Sequence, residues 1–306
     1  MVIILNRIPQ SEYPRDTRSL YISHPIYRET ATTLLALPKR VVGPAGLLYV
    51  LQREFAVTLP DDKNVSVIGS EDATTCIIVV VRHSGTGAVA LGHFDGSGTE
   101  EAVYDIIDKV QKLSSSLDGR IEVQLVGGFT DTHCISEKLF RDLMKAFHQH
   151  PVDIHLTLAC VGQMNTDIRD GVPWPILYGV GVSVKTGEIF PATFPDKGPE
   201  EHLRSARHLS GNRRILDIYD PATGLFTIGP FDYSCPVGAD FLEGQDDRFV
   251  LENLSTSPEV EPPHFVAQIR ATFRYMRENP AERVFQGEKP RCFKRDDHSG
   301  LWIPVH

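Results

Sequence analysis

A chain of 306 residues with 41% hydrophobic and 23% charged side chains can bury a large core, and that balance excludes a disordered or fibrous protein. Forty acidic against thirty-one basic residues give a formal charge of −9, without the basic footprint of a nucleic-acid or anionic-membrane binder. The five cysteines, Cys76, Cys134, Cys160, Cys235 and Cys292, are scattered and form no C-x-x-C pair, which disfavours a disulfide framework or a thiolate zinc site and points to a reducing compartment, the cytoplasm and with it the nucleus.

In chain order, the apolar opening at residues 2–5 is cut short by Asn6 and Arg7, too soon for a signal or membrane segment, and reads as a surface strand. Strands are predicted at 65–69, at 75–81 (T-C-I-I-V-V-V) and, after the Ser84-Gly85-Thr86-Gly87 turn, at 88–93. Residues 77–81 are apolar without alternation, the pattern of a strand covered on both faces in the middle of a sheet. Residues 99–116 put Val103, Ile106, Ile107, Val110 and Leu113 at helical spacing, behind Glu100 and Glu101 in a first turn that favours negative charge. A second unit repeats the scheme: strand 121–126, a Gly127-Gly128 turn, helix 136–148 with Leu139, Leu143, Ala146 and Phe147 inward, and strand 153–160.

Further on, 176–184 and 188–193 flank Lys185-Thr186-Gly187 as a hairpin, 199–209 reads as a helix with Pro199 first, and 215–219 pairs with 225–229. Glu261-Pro262-Pro263 opens an amphipathic helix striped with Phe265, Ile269, Phe273 and Met276, which Pro280 ends before a basic C-terminal hairpin. With no repeat, low-complexity tract or linker, the expectation is a single α+β domain over 1–306, two mixed sheets with outer helices. Residues 1–41 would form a flanking segment and 42–306 the catalytic body.

The turn from Gly69 to Thr75 delivers Cys76 to the start of a buried strand, where a thiol can face a pocket while nearby N–H groups stay free for an oxyanion. A cysteine filling a core as a small hydrophobe is the commoner case, and the residues alone leave both readings open. His93 ends the next strand, 93 − 76 = 17 residues on; if the strands pair over the turn, thiol and imidazole return to one sheet edge. The alternative for His93 is a strand-end surface histidine, one of twelve histidines in the chain.

Four stretches together resemble the eukaryotic protein N-terminal asparagine amidohydrolases: V-I-G-S-E-D-A-T-T-C (67–76), L-V-G-G-F-T-D (125–131), G-P-E-E-H-L-R-S-A-R (198–207) and E-N-L-S-T-S-P-E-V-E-P-P-H-F-V (252–266). More distantly, the Cys–His spacing is similar to that of the bacterial chemoreceptor glutamine deamidases, where a hydroxyl residue six positions before the cysteine completes the site; here that is Ser70. The resemblances imply an α/β/β/α sandwich and a Cys-His-Ser constellation: Cys76 as nucleophile, His93 as general acid and base, Ser70 orienting the imidazole or joining the oxyanion site. They imply conversion of an N-terminal asparagine to aspartate plus ammonia through a Cys76 thioester, feeding the N-degron pathway. No metal or organic cofactor is required. The enzyme would be a monomer whose partners are proteins or peptides with a free N-terminal Asn, with no nucleic acid and no membrane.

Reading a free α-ammonium calls for a buried carboxylate or backbone carbonyls, and among carboxylates Glu71, Asp72, Asp95, Asp131 and Glu261 are the candidates. Glu261 stands out by its place in the longest motif, with N-terminal helix capping as its alternative. Ser255, Thr256 and Ser257, and with them Thr75, offer hydroxyls for the carboxamide, with a simple turn before Pro258 as the alternative for the first three. Two other functions stay open: a deamidase or transglutaminase acting on internal glutamine, and a non-catalytic module that holds N-terminal segments in an acidic groove.

Overall fold

The computed structural model describes residues 2–114 and 118–305. The last two residues of the predicted helix at 99–116, Ser115 and Ser116, lie outside the described residues. The chain opens with β1 (Ile3–Leu5), β2 (Ile8–Pro9), α1 (Thr17–Ser23), α2 (Ile26–Leu35), β3 (Arg40–Val41), β4 (Leu47–Tyr49), β5 (Glu54–Thr58) and β6 (Val67–Ser70). The hairpin of β7 (Ile77–His83) and β8 (Val89–Phe94) is followed by α3 (Thr99–Ser114), β9 (Ile121–Gly127), α4 (Ile135–Gln149) and β10 (Ile154–Val161). Next come β11 (Thr166–Arg169), β12 (Val172–Pro175), β13 (Val180–Ser183), β14 (Ile189–Thr193), α5 (Glu201–Leu209), β15 (Leu216–Asp217), β16 (Tyr219–Asp220) and β17 (Leu225–Ile228). The chain ends with α6 (Ala239–Glu243), α7 (Asp247–Leu254), α8 (Phe265–Glu278), α9 (Ala281–Val284), β18 (Arg291–Arg295) and β19 (Trp302–Val305).

Two mixed sheets build the core. The larger runs β15-β5-β8-β7-β9-β10-β1-β2 and the smaller β3-β14-β13-β6-β4. The unalternating run of β7 has a simple cause, because each face meets a different apolar layer. Ile77, Val79 and Val81 pack with Val103, Ile106 and Ile107 of α3 and Leu139, Phe140 and Leu143 of α4. Ile78 and Val80 face Leu48, Ile68, Val180 and Val182 of the smaller sheet. Each such aliphatic side chain contributes about 1.5–3 kcal/mol on burial. Helices α5 and α8 send Leu203, Ala206, Ile269 and Phe273 into the same cluster between the sheets. This is the α+β class expected from the sequence. No helix among the described residues is long and apolar enough to cross a membrane.

Several local expectations change. Ile3 and Leu5 are fully buried, because β1 adds in parallel to β10 and is flanked by β2, so this strand is not at the surface. Residues 215–219 divide between sheets: β15 joins β5 in parallel, while β16 pairs with β17 as a hairpin and β17 in turn with the C-terminal β18. Helix α5 starts at Glu201, behind a left-handed Glu200 (φ 53°), so Pro199 precedes the helix and does not open it.

The 198–207 motif carries two arginines that are both buried. Arg204 Nε and Nη2 meet the Glu54 carboxylate at 3.0 and 2.6 Å, and Arg204 also donates to Tyr49 O and Lys197 O. Arg207 donates to Arg53 O and Arg214 O. Together they hold the turn between β4 and β5. Arg204→Met leaves Glu54 charged, buried and unpaired, and is expected to lower the unfolding free energy by about 3–5 kcal/mol. Urea denaturation checks this, with Arg248→Ala, from the exposed pair with Glu252, expected to leave the midpoint unchanged.

Candidate active site

Antiparallel pairing sets Ile77 opposite Phe94 and Ile78 opposite His93. Side chains alternate along a strand, so Cys76 and His93 share the face turned to the smaller sheet and are diagonal neighbours, a relation of about 7–8 Å between backbones that longer side chains span. Both line one cavity of about 400 Å³. Cys76 stands in the loop just ahead of β7, since pairing begins only at Ile77. The Gly127-Gly128 turn leaves room for it: at Gly127 (φ +113°) a Cβ would come within 2.7 Å of the Cys76 carbonyl oxygen.

His93 is 1% exposed, and its Nδ1 lies 2.8 Å from Ser70 Oγ at the end of β6. Ser70 Oγ is also 2.7 Å from Val50 O, a group that can only accept. The single hydroxyl proton therefore goes to Val50 O, and Ser70 must accept from Nδ1–H. This fixes the neutral tautomer of His93 and leaves Nε2 with its lone pair. Nε2 is buried and has no hydrogen-bond partner among the described residues, the thiol included.

Burial pushes the Cys76 thiol well above its ordinary value, and Asp95, Glu261 and Asp72 push the same way against Arg53. Burial likewise takes His93 down to about 4, against the pull of Asp95, Asp72 and Glu54. Near neutral pH the resting pair is thus an uncharged thiol beside an uncharged imidazole.

Of the five candidate carboxylates, most are already engaged. Asp95 accepts from Arg53 Nε at 2.6 Å, Gln52 Nε2 at 2.7 Å and Ser97 N at 2.9 Å; burial raises its pKa, but Arg53 and these donors outweigh burial and hold it low. Asp72 pairs with Lys197 Nζ and with His264 Nε2 at 2.9 Å, which likewise overcome burial. Glu71 accepts from Thr193 Oγ1 at 2.5 Å and Phe194 N at 3.0 Å. Asp131 lies outside the cavity lining and takes the N–H groups of His133, Ile135 and Ser136, capping α4.

Glu261 lines the cavity with only hydroxyls on its carboxylate, Thr74 Oγ1 at 2.8 Å and Ser255 Oγ at 2.5 Å. It makes no ion pair among the described residues, and His264, not Glu261, stands at the N-cap of α8, so the capping alternative falls. Burial raises its pKa, partly offset by Ser255 and Thr74. Thr75 and Thr256 also line the cavity, their hydroxyls 3.2 Å apart; the Ser255 proton is engaged by Glu261, and Ser257 is not in the lining.

Sequence reasoning missed Arg53, Lys197, His208 and His264, all in the cavity wall. His264 had a signal, since it falls three residues after Glu261 in the same motif. Arg53 had none, being fixed by a left-handed turn (φ 61°) outside the recognised stretches.

A thiol and an imidazole nitrogen without a partner among the described residues, brought to one cavity, are a combination that can support thiol-dependent hydrolysis. The profile of the protein N-terminal asparagine amidohydrolases matches residues 37–304. The chain is 44% identical to the protein of that name from Homo sapiens and 45% to that from Sus scrofa, each over 295 residues covering 95% of this chain and 94% of the relative. The Arabidopsis thaliana protein of the same name is 28% identical over 275 residues, 81% of this chain and 78% of the relative. The chain belongs to the protein N-terminal asparagine amidohydrolase family, a family of hydrolases.

Because the resting thiol is uncharged, iodoacetamide is expected to modify Cys76 more slowly near neutral pH than the exposed Cys134, and faster as the pH rises. Peptide mapping of the labelled protein reads this directly. Labelling of Cys76 that outpaces Cys134 at neutral pH contradicts the resting state described.

Proposed function

We propose that the protein hydrolyses the side-chain amide of an N-terminal asparagine in proteins and peptides, releasing ammonia and leaving N-terminal aspartate. The observation that carries this reading is a cavity holding three complementary parts: the Cys76 thiol, the open Nε2 of His93, and a Glu261 carboxylate with no ion-pair partner among the described residues. The α-ammonium of the substrate supplies that cation, and its short side chain then presents the carboxamide to Cys76. Family membership supports asparagine as the residue read.

As Sγ attacks the carboxamide carbon, Nε2 of His93 takes the thiol proton, and the oxyanion is received by the backbone N–H of Cys76. The imidazolium returns the proton to the departing amine, so ammonia leaves and a thioester remains. Water then gives a proton to Nε2, attacks the thioester carbon, and releases aspartate while the proton returns to Sγ. Ser70 holds the ring in the tautomer that makes Nε2 the base in both halves. The product feeds the N-degron pathway, with the enzyme acting as a single-domain monomer in the cytoplasm and nucleus.

An acetylated terminus or an internal residue brings no ammonium and leaves Glu261 buried and uncompensated, which disfavours the internal-glutamine reading. Ammonia release from peptides with free N-terminal Asn, free N-terminal Gln and acetylated Asn, measured side by side, is expected only from the first. Equal release from the acetylated peptide would overturn recognition of the terminus, and full release by Cys76→Ala would remove the thiol from the mechanism.

Glu261→Gln is expected to lower kcat/KM about 100-fold, chiefly through KM, as for loss of one partner of a desolvated charge pair. The pKa of Glu261 is raised, so the carboxylate is available above that value and takes a proton as the pH falls through it. KM of the wild type should therefore rise on the acid side, and this rise should be absent in Glu261→Gln.

A further inference from the structure

Three contacts cross from the loop that delivers Cys76 to the segment between α7 and α8 that carries Glu261. Thr74 Oγ1 meets Glu261 Oε2 at 2.8 Å, Thr75 Oγ1 meets Thr256 Oγ1 at 3.2 Å, and His264 Nε2 meets Asp72 Oδ1 at 2.9 Å. The first two depend on neutral hydroxyls. The third joins a titratable cation to a carboxylate. Asp72 adopts a left-handed backbone (φ 64°), uncommon outside glycine, and its other oxygen is held by Lys197, itself only 8% exposed. The anionic half of the contact is therefore anchored. His264 directly follows Pro262-Pro263, whose rings restrict the backbone linking it to Glu261. Two residues, both with a ring-restricted φ, separate His264 from the Glu261 carboxylate.

We propose that His264 is a positioning residue: clamped as an imidazolium on Asp72, it holds Glu261 at a fixed distance from Cys76, so that ammonium capture and attack on the carboxamide occur in one geometry. The inference rests on the reading of Glu261 given above. It concerns substrate capture and leaves the proton transfers at His93 untouched.

The groups facing His264 favour its charged form. The hydrogen bond to Asp72 raises its pKa above 6.5; burial opposes this, the Asp72 charge and Glu71 support it, and Lys197 opposes it. The side chain is 45% exposed, so solvent moderates the pair. A raised pKa means that the contact is a charge-assisted ion pair below it and, as the pH rises through it, becomes a neutral Nε2–H donating to the carboxylate. On the acid side of that value, Glu261 sits where the thiol needs it. On the alkaline side the contact between His264 and Asp72 persists only as a weaker, uncharged hydrogen bond beside the two hydroxyl contacts.

The test compares His264→Gln with the wild type on an Asn-starting peptide across pH. The substrate amine, Cys76 and His93 titrate alike in both proteins; the His264 charge also lowers the Glu261 pKa, so the ratio of their KM values reports His264 together with its effect on that carboxylate. Near about pH 6 the variant should show a KM roughly threefold to tenfold above wild type, and near about pH 9 the ratio should approach one, with kcat within about twofold throughout. A ratio constant across this range overturns the proposal and makes His264 a purely structural residue. A second measurement needs no substrate: the His264 ring, followed by NMR in the free protein, should titrate above 6.5 and drop in Asp72→Asn. If the wild type releases no ammonia from the Asn peptide, recognition fails as a reading, while the shifted titration still upholds the clamp. A His264 pKa at or below 6.5 overturns the clamp whatever the substrate.

Discussion

One hydrogen bond between the two sheets organises the rest of the site. Ser70 ends β6 of the smaller sheet, His93 lies in β8 of the larger, and their 2.8 Å contact crosses the core between them. Its direction is decided by Val50 O, which takes the serine proton and leaves the imidazole only one way to donate. Val50 in turn is held beside Gly69 by its N–H and lies in the turn that Glu54 and Arg204 brace. A buried ion pair far from the thiol in sequence thus underlies the orientation of the base. The chemistry depends on sheet packing, because an imidazole turned over would present a proton where a lone pair is needed.

The cavity combines two electrostatic regimes. Cys76 and His93 sit where burial dominates, so both rest uncharged near neutral pH. Around them the ionised groups are locked in pairs, Asp95 with Arg53 and Asp72 with Lys197 and His264. Paired groups hold a preorganised field and cannot collapse onto the reacting atoms. Glu261 stands apart from both regimes, since its hydroxyl donors orient a carboxylate without neutralising it. A carboxylate with no ion-pair partner among the described residues at one end of the cavity and a resting uncharged thiol and imidazole at the other are thus set in one lining.

Local patterns in the sequence carried the fold class and the pairing of β7 with β8. The apolar run 77–81 has no alternation because two different layers cover it, and the turn after His83 returns His93 to the face that Cys76 occupies. Partnerships between distant residues were not legible. Of five carboxylates offered as readers of an amine, only Glu261 was set apart, by its motif; that Asp72 is taken by Lys197, 125 positions away, and by His264, 192 away, and that Asp131 caps the helix just beyond it, was not visible. The same holds for β1, whose apolar triplet becomes a buried strand only through parallel pairing with β10, about half the chain later. Where a local rule sufficed, as for the 17-residue step to His93, the sequence located the residues; where a long-range partner decided, only the fold could separate equivalent candidates.

The central claim is that Ser70 makes Nε2 of His93 the base in the resting enzyme. Nitrogen-15 NMR of the histidine rings near neutral pH tests it most directly, with His93 assigned by its loss in His93→Gln. The account predicts a neutral ring with its proton on Nδ1 and a bare Nε2. A proton found on Nε2, or a ring charged at neutral pH, would contradict it.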